Sequence, residues 1–181
     1  IAGIVVAPLA WSSMQPYMRE RILMSLNPET DPSGKGYNLV QALISIGSGG
    51  VWGKGLGQGS QSQLAFLPVR HTDFIFSVLA EELGLVGSAI LLVLLACLLL
   101  RIVRISAQAS DTFGRLLASG VATMIFVQVA VNVGFNVGLL PVTGLPLPLI
   151  SYGGSSLTTT LIGLGLVQSV KLHRQPLEGQ L

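Results

Sequence analysis

The residues best suited to chemistry lie where a long polar segment meets a long apolar one. Asp73 stands at this junction, directly after His71 and Thr72 and directly before Phe74-Ile75-Phe76. A carboxylate at a boundary between lipid and water loses part of its hydration, which suits it to take a proton from a substrate hydroxyl as a general base. An ionisable group at the mouth of a membrane helix is costly unless it is paired, hydrated or in use. Asp73 is therefore the first candidate for a catalytic residue.

A helix cap is an equally open interpretation of Asp73 at this point. Thr72 and Asp73 precede an apolar helical stretch, where a side-chain oxygen accepts hydrogen bonds from free backbone N–H groups and negative charge suits the helix dipole. His71 is interpreted as a hydrogen-bonding residue that orients the carboxylate. A Ser-His-Asp triad is not supported, because the sequence has no nucleophile-elbow pattern.

Two further acidic residues, Glu81 and Glu82, follow in the same apolar stretch. Eight residues of helix rise roughly 12 Å, which is too far for Glu81 and Asp73 to ligate one metal ion on a continuous helix. Acidic groups at this depth usually face the interior of a helix bundle. Both glutamates are predicted to be structural or to line a cavity, with an ion pair or a hydrogen bond to a neighbouring helix.

A glycine-rich segment, residues 47–59, contains seven glycines in thirteen residues. Each glycine costs a helix about 1 kcal/mol relative to alanine, so this loop is not predicted to be helical. Glycine also permits positive φ angles and close approach of the backbone to a ligand. Lys54 in this loop and Arg70 after it are candidate cations for an anionic headgroup, although a solvated loop charge is the plainer interpretation of Lys54. A phosphate-binding P-loop is excluded, because no Ser or Thr follows the lysine.

Gln128, Asn132 and Asn136 are spaced four residues apart, which places them on one face of a helix. In lipid such side chains hydrogen-bond across helices or line a cavity. All three are predicted to be structural or cavity-lining rather than catalytic.

The composition is typical of an integral membrane protein. Hydrophobic residues make up 50% of the 181 residues and charged residues only 10%, against about a quarter in soluble domains, and the mean hydropathy is +0.70. A net charge of +2 is too small to argue for nucleic acid. A single cysteine, Cys97, excludes a disulfide framework and a cysteine-based metal site.

The apolar runs predict an all-α fold, a polytopic transmembrane helix bundle with a large extracellular loop. No charged residue occurs from 116 to 170, and because that run is too long for one span, its prolines are taken to divide it. The predicted segments are the end of a transmembrane helix at 1–11, an extracellular loop with short interfacial helices at 12–72, a transmembrane helix at 73–104, a cytoplasmic loop at 105–115, a transmembrane helix at 116–140, an extracellular loop at 141–154, a transmembrane helix at 155–170 and a cytoplasmic tail at 171–181.

Basic residues set the orientation, because cytoplasmic loops carry an excess of Lys and Arg. They flank the predicted spans on one side, which is assigned to the cytoplasm: Arg101, Arg104, Arg115, Lys171 and Arg174. The large loop, the proline-rich loop and Asp73 then face outward.

Several stretches resemble the SEDS family, which includes RodA and FtsW, and they occur in that family's order. Two of them, Gly53-Lys54-Gly55 and Leu140-Pro141-Val142-Thr143-Gly144, resemble RodA more than FtsW. The others are Gly47-Ser48-Gly49-Gly50, Gln61-Ser62-Gln63-Leu64, Phe66-Leu67-Pro68, His71-Thr72-Asp73-Phe74-Ile75-Phe76, Glu81-Glu82-Leu83-Gly84 and Pro148-Leu149-Ile150-Ser151-Tyr152-Gly153-Gly154-Ser155-Ser156.

The resemblance implies a ten-span fold in a bacterial plasma (inner) membrane, of which this chain would be the C-terminal part and would lack the N-terminal half. It implies an inverting peptidoglycan glycosyltransferase that polymerises glycan strands from lipid II, releases undecaprenyl pyrophosphate and acts in cell elongation and rod-shape maintenance. Asp73 would be the family's essential acid, in an active site on the outer face. The implied partners are lipid II, the nascent glycan strand, a class B penicillin-binding protein and membrane lipid, without nucleic acid.

The headgroup pocket is expected to combine the glycine loop, the Asp73 junction and the turn near Ser151. A divalent cation, Mg or Mn, is expected to help neutralise the pyrophosphate, and no organic cofactor is expected. A flippase or transporter of lipid-linked precursors is the alternative function, because intramembrane glutamates and broken apolar runs also fit a translocation path; a non-catalytic scaffold is a third. The predicted substrate-binding residues are His71, Thr72, Arg70, Lys54, Ser151, Tyr152, Gly153, Gly154 and Ser155.

Overall fold

The computed structural model describes residue 15 and residues 35–59 and 72–173. These parts of the chain contain helices and irregular segments without a strand, which confirms the predicted all-α class. Four helices follow one another: α1 (Lys35–Gly49), α2 (Ile75–Ala107), α3 (Thr112–Asn136) and α4 (Gly154–Leu172). The segment predicted at 1–11 and the residues Arg70 and His71 lie outside the described residues.

Within the described ranges, α2 and α3 are long and apolar enough to cross a membrane, with 33 and 25 residues. The helix α3 begins at Thr112, earlier than the predicted 116, because the side chain of Asp111 caps it by accepting a 2.7 Å hydrogen bond from the Gly114 N–H. It ends at Asn136 rather than at 140, and Gly138 then takes a positive φ of 77°. The 19-residue α4 does not meet the same test, so its assignment as a span stays a prediction.

The start of α2 packs firmly against α1 and α3. Phe74, Ala42 and Phe135 form one buried cluster, in which the rings of Phe74 and Phe135 meet edge to face with centroids 5.6 Å apart. Such aromatic pairs contribute about 0.5–1.5 kcal/mol beyond the area they bury. A second cluster joins the far end of α2 to α3 and α4 through Ile102, Ile125, Val167 and two alanines. The chain immediately after Asp73 is therefore anchored by buried packing.

The helix α2 is broken at Gly84, which has φ 68° and ψ −165°. In a continuous helix, the N–H groups of Leu85 and Val86 would bond to the carbonyls of Glu81 and Glu82. The glycine loop bonds to all four freed groups instead. The Leu85 and Val86 N–H groups donate to the carbonyls of Gly50 and Val51 at 2.9 and 3.2 Å, and the carbonyls of Glu81 and Glu82 accept from the N–H groups of Lys54 and Gly55 at 3.0 Å each.

Glycine is required where the loop and α2 meet, because the two backbones touch. A Cβ added to Gly49 would overlap the Ala80 carbonyl, one added to Gly53 would overlap the Glu82 carbonyl, and one added to Gly84 would overlap the backbone of Gly53. The sequence suggested that the glycines of residues 47–59 allow the backbone to approach a ligand. In the structure, the backbone that they approach is α2.

Candidate active site around Asp73

Asp73 lies immediately before α2, and it is half-buried. The residue that begins the helix as its N-cap is Phe74, and no side chain caps it by hydrogen bonding. Among the described residues, the Asp73 carboxylate accepts no hydrogen bond. The interpretation of Asp73 as a helix cap is therefore wrong, because the carboxylate stands one residue too early.

Two buried asparagines on α3 hold the backbone of Asp73. The Nδ2 groups of Asn132 and Asn136 each donate to the Asp73 carbonyl oxygen at 3.1 Å. Asn132 also donates to the Leu145 carbonyl at 2.7 Å. Both asparagines are fully buried. The α3 stripe thus connects the start of α2 to the loop that follows α3.

The turn before α4 holds the peptide group on the other side of Asp73. The Ser151 hydroxyl donates a 2.7 Å hydrogen bond to the Thr72 carbonyl and accepts one, also of 2.7 Å, from the Leu147 N–H. This turn includes Leu149, which takes a positive φ of 65°. Two segments that the sequence placed in one site, near residues 72 and 151, therefore lie in direct contact.

Gly144 brings the loop between α3 and α4 next to the Asp73 carboxylate. It has a positive φ of 75°, and a Cβ added to it would lie 3.4 Å from Asp73 Oδ2. At that distance a Cβ would make an ordinary van der Waals contact, so the positive φ is what favours glycine at this position.

The remaining residues of the predicted headgroup pocket surround the start of α4. The Tyr152 side chain is 83% exposed, Gly153 is the N-cap of α4, and Gly154 and Ser155 form its exposed first residues. Their assignment to substrate binding stays a prediction.

Glu81 and Lys54 form an ion pair away from Asp73. Lys54 Nζ lies 3.0 Å from Glu81 Oε1, and Glu81 is fully buried while the lysine side chain is 30% exposed. The partner of Glu81 comes from the glycine loop rather than from a neighbouring helix. The interpretation of Lys54 as a solvated loop charge is wrong, since its ammonium group is engaged by a buried carboxylate. Glu82 is half-buried, and its backbone carbonyl accepts from the loop.

Gln128, the third residue of the α3 stripe, differs from the two asparagines. Its side chain makes no hydrogen bond to Asp73, while its Oε1 atom, like the Oδ1 atom of Asn136, is shielded from solvent and has no hydrogen-bond partner. The three residues of the stripe therefore do not act alike: Asn132 and Asn136 hold the Asp73 backbone, and Gln128 does not.

Among the described residues there is no preformed cluster of metal ligands. In the ranges 35–59 and 72–173, no three His, Cys, Asp or Glu side chains come together in a group that could hold a metal ion. The expected divalent cation stays a prediction.

A cavity of about 540 Å³ lies at the opposite end of α2, between that helix and α4. It contains none of the predicted site residues and does not belong to the Asp73 site. Its lining consists of Leu98, Arg101, Ile102, Arg104, Ile105, Gln108, Leu164, Val167, Gln168 and Lys171.

The sequence missed the connection of Asn132 and Asn136 to Asp73. Their four-residue spacing identified a polar face, but nothing in it identified the backbone carbonyl of a residue about sixty positions earlier as the partner. The usable signal was their place at the end of α3 that adjoins the proline-rich loop.

Comparison with known proteins identifies the family. The profile of the FtsW, RodA and SpoVE cell cycle proteins matches residues 1–176. The chain belongs to the FtsW/RodA/SpoVE family. It is 53% identical over 181 residues to the peptidoglycan glycosyltransferase MrdB of Escherichia coli K12, which covers 98% of this chain and 49% of MrdB. It is 46% identical over 161 residues to the peptidoglycan glycosyltransferase RodA of Treponema pallidum, covering 89% of this chain and 37% of that protein.

Solved structures of FtsW/RodA/SpoVE proteins share the fold. A peptidoglycan synthase complex that coordinates polymerization and crosslinking matches with a TM-score of 0.75 and 41% identity, over 96% of this chain and 47% of that chain. The crystal structure of Thermus thermophilus rod shape determining protein RodA matches with a TM-score of 0.55 and 38% identity, over 87% of this chain and 57% of that chain. These matches confirm a polytopic membrane helix bundle. The chain spans about half the length of relatives such as MrdB.

Proposed function

We propose that the protein containing this chain is a peptidoglycan glycosyltransferase that polymerises glycan strands from lipid II. The observation that carries the proposal is the Asp73 carboxylate, which accepts no hydrogen bond from the described residues while the peptide groups on both sides of it are held. A base must be able to reach a substrate proton and must be held in a defined position. Relatives that are 46% and 53% identical carry the name peptidoglycan glycosyltransferase.

In the proposed reaction, Asp73 removes the proton from the 4-hydroxyl of the N-acetylglucosamine of an acceptor lipid II. The resulting oxygen attacks the anomeric carbon of the growing strand. The bond from that carbon to undecaprenyl pyrophosphate breaks, and the electron pair leaves with the pyrophosphate. One base and one good leaving group suffice for this single displacement, which inverts the anomeric centre without a covalent enzyme intermediate. Asp73 then returns the proton to water.

The headgroup is proposed to lie between the Asp73 junction and the first turn of α4. Thr72, Ser151 and the residues after it line this region, and Gly144 lies beside the carboxylate. The ion pair with Glu81 engages Lys54, so the pyrophosphate charge would fall mainly to Arg70, to a divalent cation, or to parts of the protein outside this chain. His71 would orient the carboxylate or the acceptor.

The proposed setting is the outer face of a bacterial plasma membrane during cell elongation. The basic residues at the end of α2 and at the end of α4 support this orientation. One of the similar structures is a synthase complex that coordinates polymerization with crosslinking. A class B penicillin-binding protein, which supplies transpeptidase activity, is the proposed partner.

The features that suggested a transporter have another explanation in the structure. Transporters use broken helices whose free ends bind ions or substrate. Here the backbone groups freed at Gly84 are bonded to the glycine loop, and Glu81 is paired with Lys54.

The test is lipid II polymerisation by the purified full-length protein in detergent or vesicles. Asp73→Asn is expected to lower the rate by about 10²–10⁴-fold, because loss of a general base typically costs that much. Asp111→Asn is the matched control: Asp111 caps α3 in the loop after α2, and asparagine caps equally well.

Glycan of normal length and rate from Asp73→Asn would overturn the proposed role of Asp73. Transport of lipid II across vesicles by a wild-type protein that makes no glycan from external substrate would favour the transporter instead.

A further inference from the structure

The two peptide groups that flank Asp73 are both fixed by side chains from distant parts of the chain. The Thr72 carbonyl accepts from Ser151, and the Asp73 carbonyl accepts from Asn132 and Asn136. Neither carbonyl is part of the regular hydrogen bonding of α2, which begins at Ile75. The local chain is therefore held from outside rather than by its own helix.

This arrangement fixes the direction of the Asp73 side chain. Because each peptide group is planar, the orientation of the groups before and after a residue determines its φ and ψ. Those angles in turn determine where the Cα–Cβ bond points. The carboxylate itself accepts no hydrogen bond from the described residues, so the backbone is what directs it.

The chemistry of asparagine suits this role. Its amide nitrogen carries two donor hydrogens, and a carbonyl oxygen has two lone pairs. Asn132 can therefore hold Asp73 and Leu145 at once, and the Asp73 carbonyl can accept from both asparagines. Asn136 donates additionally to the backbone oxygen of Asn132 at 2.9 Å. Both side chains are fully buried, where unmade hydrogen bonds are costly.

We propose that Asn132 and Asn136 are positioning residues for the general base. They hold the Asp73 backbone so that its carboxylate faces the acceptor hydroxyl, and Asn132 ties this position to the loop that carries Gly144. The inference rests on the proposed function of Asp73. Neither asparagine touches the reacting atoms, since their donors are engaged by backbone oxygens.

The test compares Asn132→Leu and Asn136→Leu with Gln128→Leu in the full-length protein. Leucine has the same branched arrangement of side-chain heavy atoms as asparagine and no donor. Gln128 lies on the same stripe of α3 and makes no hydrogen bond to Asp73 among the described residues, so it is the matched control. The asparagine variants are expected to lose roughly 10²-fold in kcat, the cost of misplacing a reacting group by about 1 Å, with an unchanged KM for lipid II. Gln128→Leu is expected to keep the wild-type kcat.

A double-mutant cycle separates positioning from a general structural role. In the Asp73→Asn background, Asn136→Leu is expected to cause no further loss of rate, because the group that it positions is already gone. Asn136→Asp gives a milder, nearly isosteric change: a neutral carboxylic acid retains one donor, and kcat is expected to lie between those of leucine and asparagine. If the leucine variants do not fold, the kcat of Asn136→Asp is used to test the positioning role.

Wild-type kcat in both asparagine variants would overturn the positioning role, as would an equal fold-loss in the presence and absence of Asp73. Reduced thermal stability with unchanged kcat per folded molecule would assign the asparagines to the fold alone. Failure of the proposed function can be distinguished from failure of the positioning role, because Asp73→Asn itself would then polymerise lipid II normally.

Discussion

At the scale of single residues, Glu81 shows how a carboxylate is kept inside this helix bundle. Its side chain is fully buried, and Lys54 reaches it from a loop 27 positions earlier. Removing one member of a buried ion pair typically costs 3–5 kcal/mol, because the other charge stays buried. Replacing both members with apolar groups is often neutral. Glu81 and Lys54 thus stabilise the fold mainly as a pair.

Lys54→Met is therefore expected to destabilise the full-length protein by about 3 kcal/mol, near the lower end of that range because Lys54 is partly exposed. The double variant Lys54→Met/Glu81→Leu is expected to recover most of this loss. Thermal unfolding in detergent, followed by circular dichroism, measures both. A double variant as unstable as Lys54→Met would show that the buried carboxylate is not the cause.

The sequence predicted the Asp73 candidate but not its surroundings. The type and place of the residue were sufficient to suggest a base. To choose between a base and a cap, the first residue of α2 must be known. The helix begins at Ile75, only two residues after the predicted boundary. A cap depends on the position of a single residue, and periodicity does not locate helix ends so closely.

At the scale of elements, the broken helix α2 and the glycine loop form one unit. Two backbone hydrogen bonds that a continuous helix would make within itself are replaced by four between the two segments. In a membrane, freed backbone groups must be satisfied by the protein. The break at Gly84 is therefore stable only while the loop stays in place.

Gly49→Ala is expected to destabilise this unit by about 1–3 kcal/mol, because the new Cβ would overlap the Ala80 carbonyl. Gly47→Ala is the matched control on the same helix, α1. A Cβ there meets nothing within 4 Å, so alanine is expected to stabilise by up to about 1 kcal/mol. Thermal unfolding of the two variants against wild type gives the comparison. Equal changes in stability would contradict a close contact between the loop and α2.

The composition predicted the glycine loop but not that it binds the backbone of α2. Seven glycines predicted a non-helical segment with a close approach; this is wrong for residues 47–49, which form the end of α1. The partner is the backbone of α2. Every residue has the same backbone groups, so the sequence does not show which of them the loop will bind. Gly84 could be seen, but a single glycine in an apolar helix is common and does not by itself predict a break.

At the scale of the whole molecule, α2 and α3 form a hairpin with Asp73 and Gly144 together at one end. The short connection between the two helices, residues 108–111, lies at the other end. Antiparallel helices that cross a bilayer put their connection and their free ends on opposite sides. The positive charges Arg101 and Arg104 near the connection favour the cytoplasmic side for it. In this proposed orientation, the candidate active site faces outward.

This orientation predicts which positions a membrane-impermeant thiol reagent reaches in intact spheroplasts. The full-length protein would first have its native cysteines, including Cys97, replaced. Thr143→Cys, in the exposed loop beside the candidate site, is expected to react from outside. Ser110→Cys, exposed in the connection between α2 and α3, is expected to react only after the membrane is permeabilised.

Both positions lie in short exposed segments, so equal access to the reagent in detergent controls for local burial. Reaction of Ser110→Cys from outside, with Thr143→Cys protected, would reverse the hairpin. Asp73 would then lie on the cytoplasmic side, away from the wall. That result would contradict polymerisation at the outer face even if the purified protein consumed lipid II.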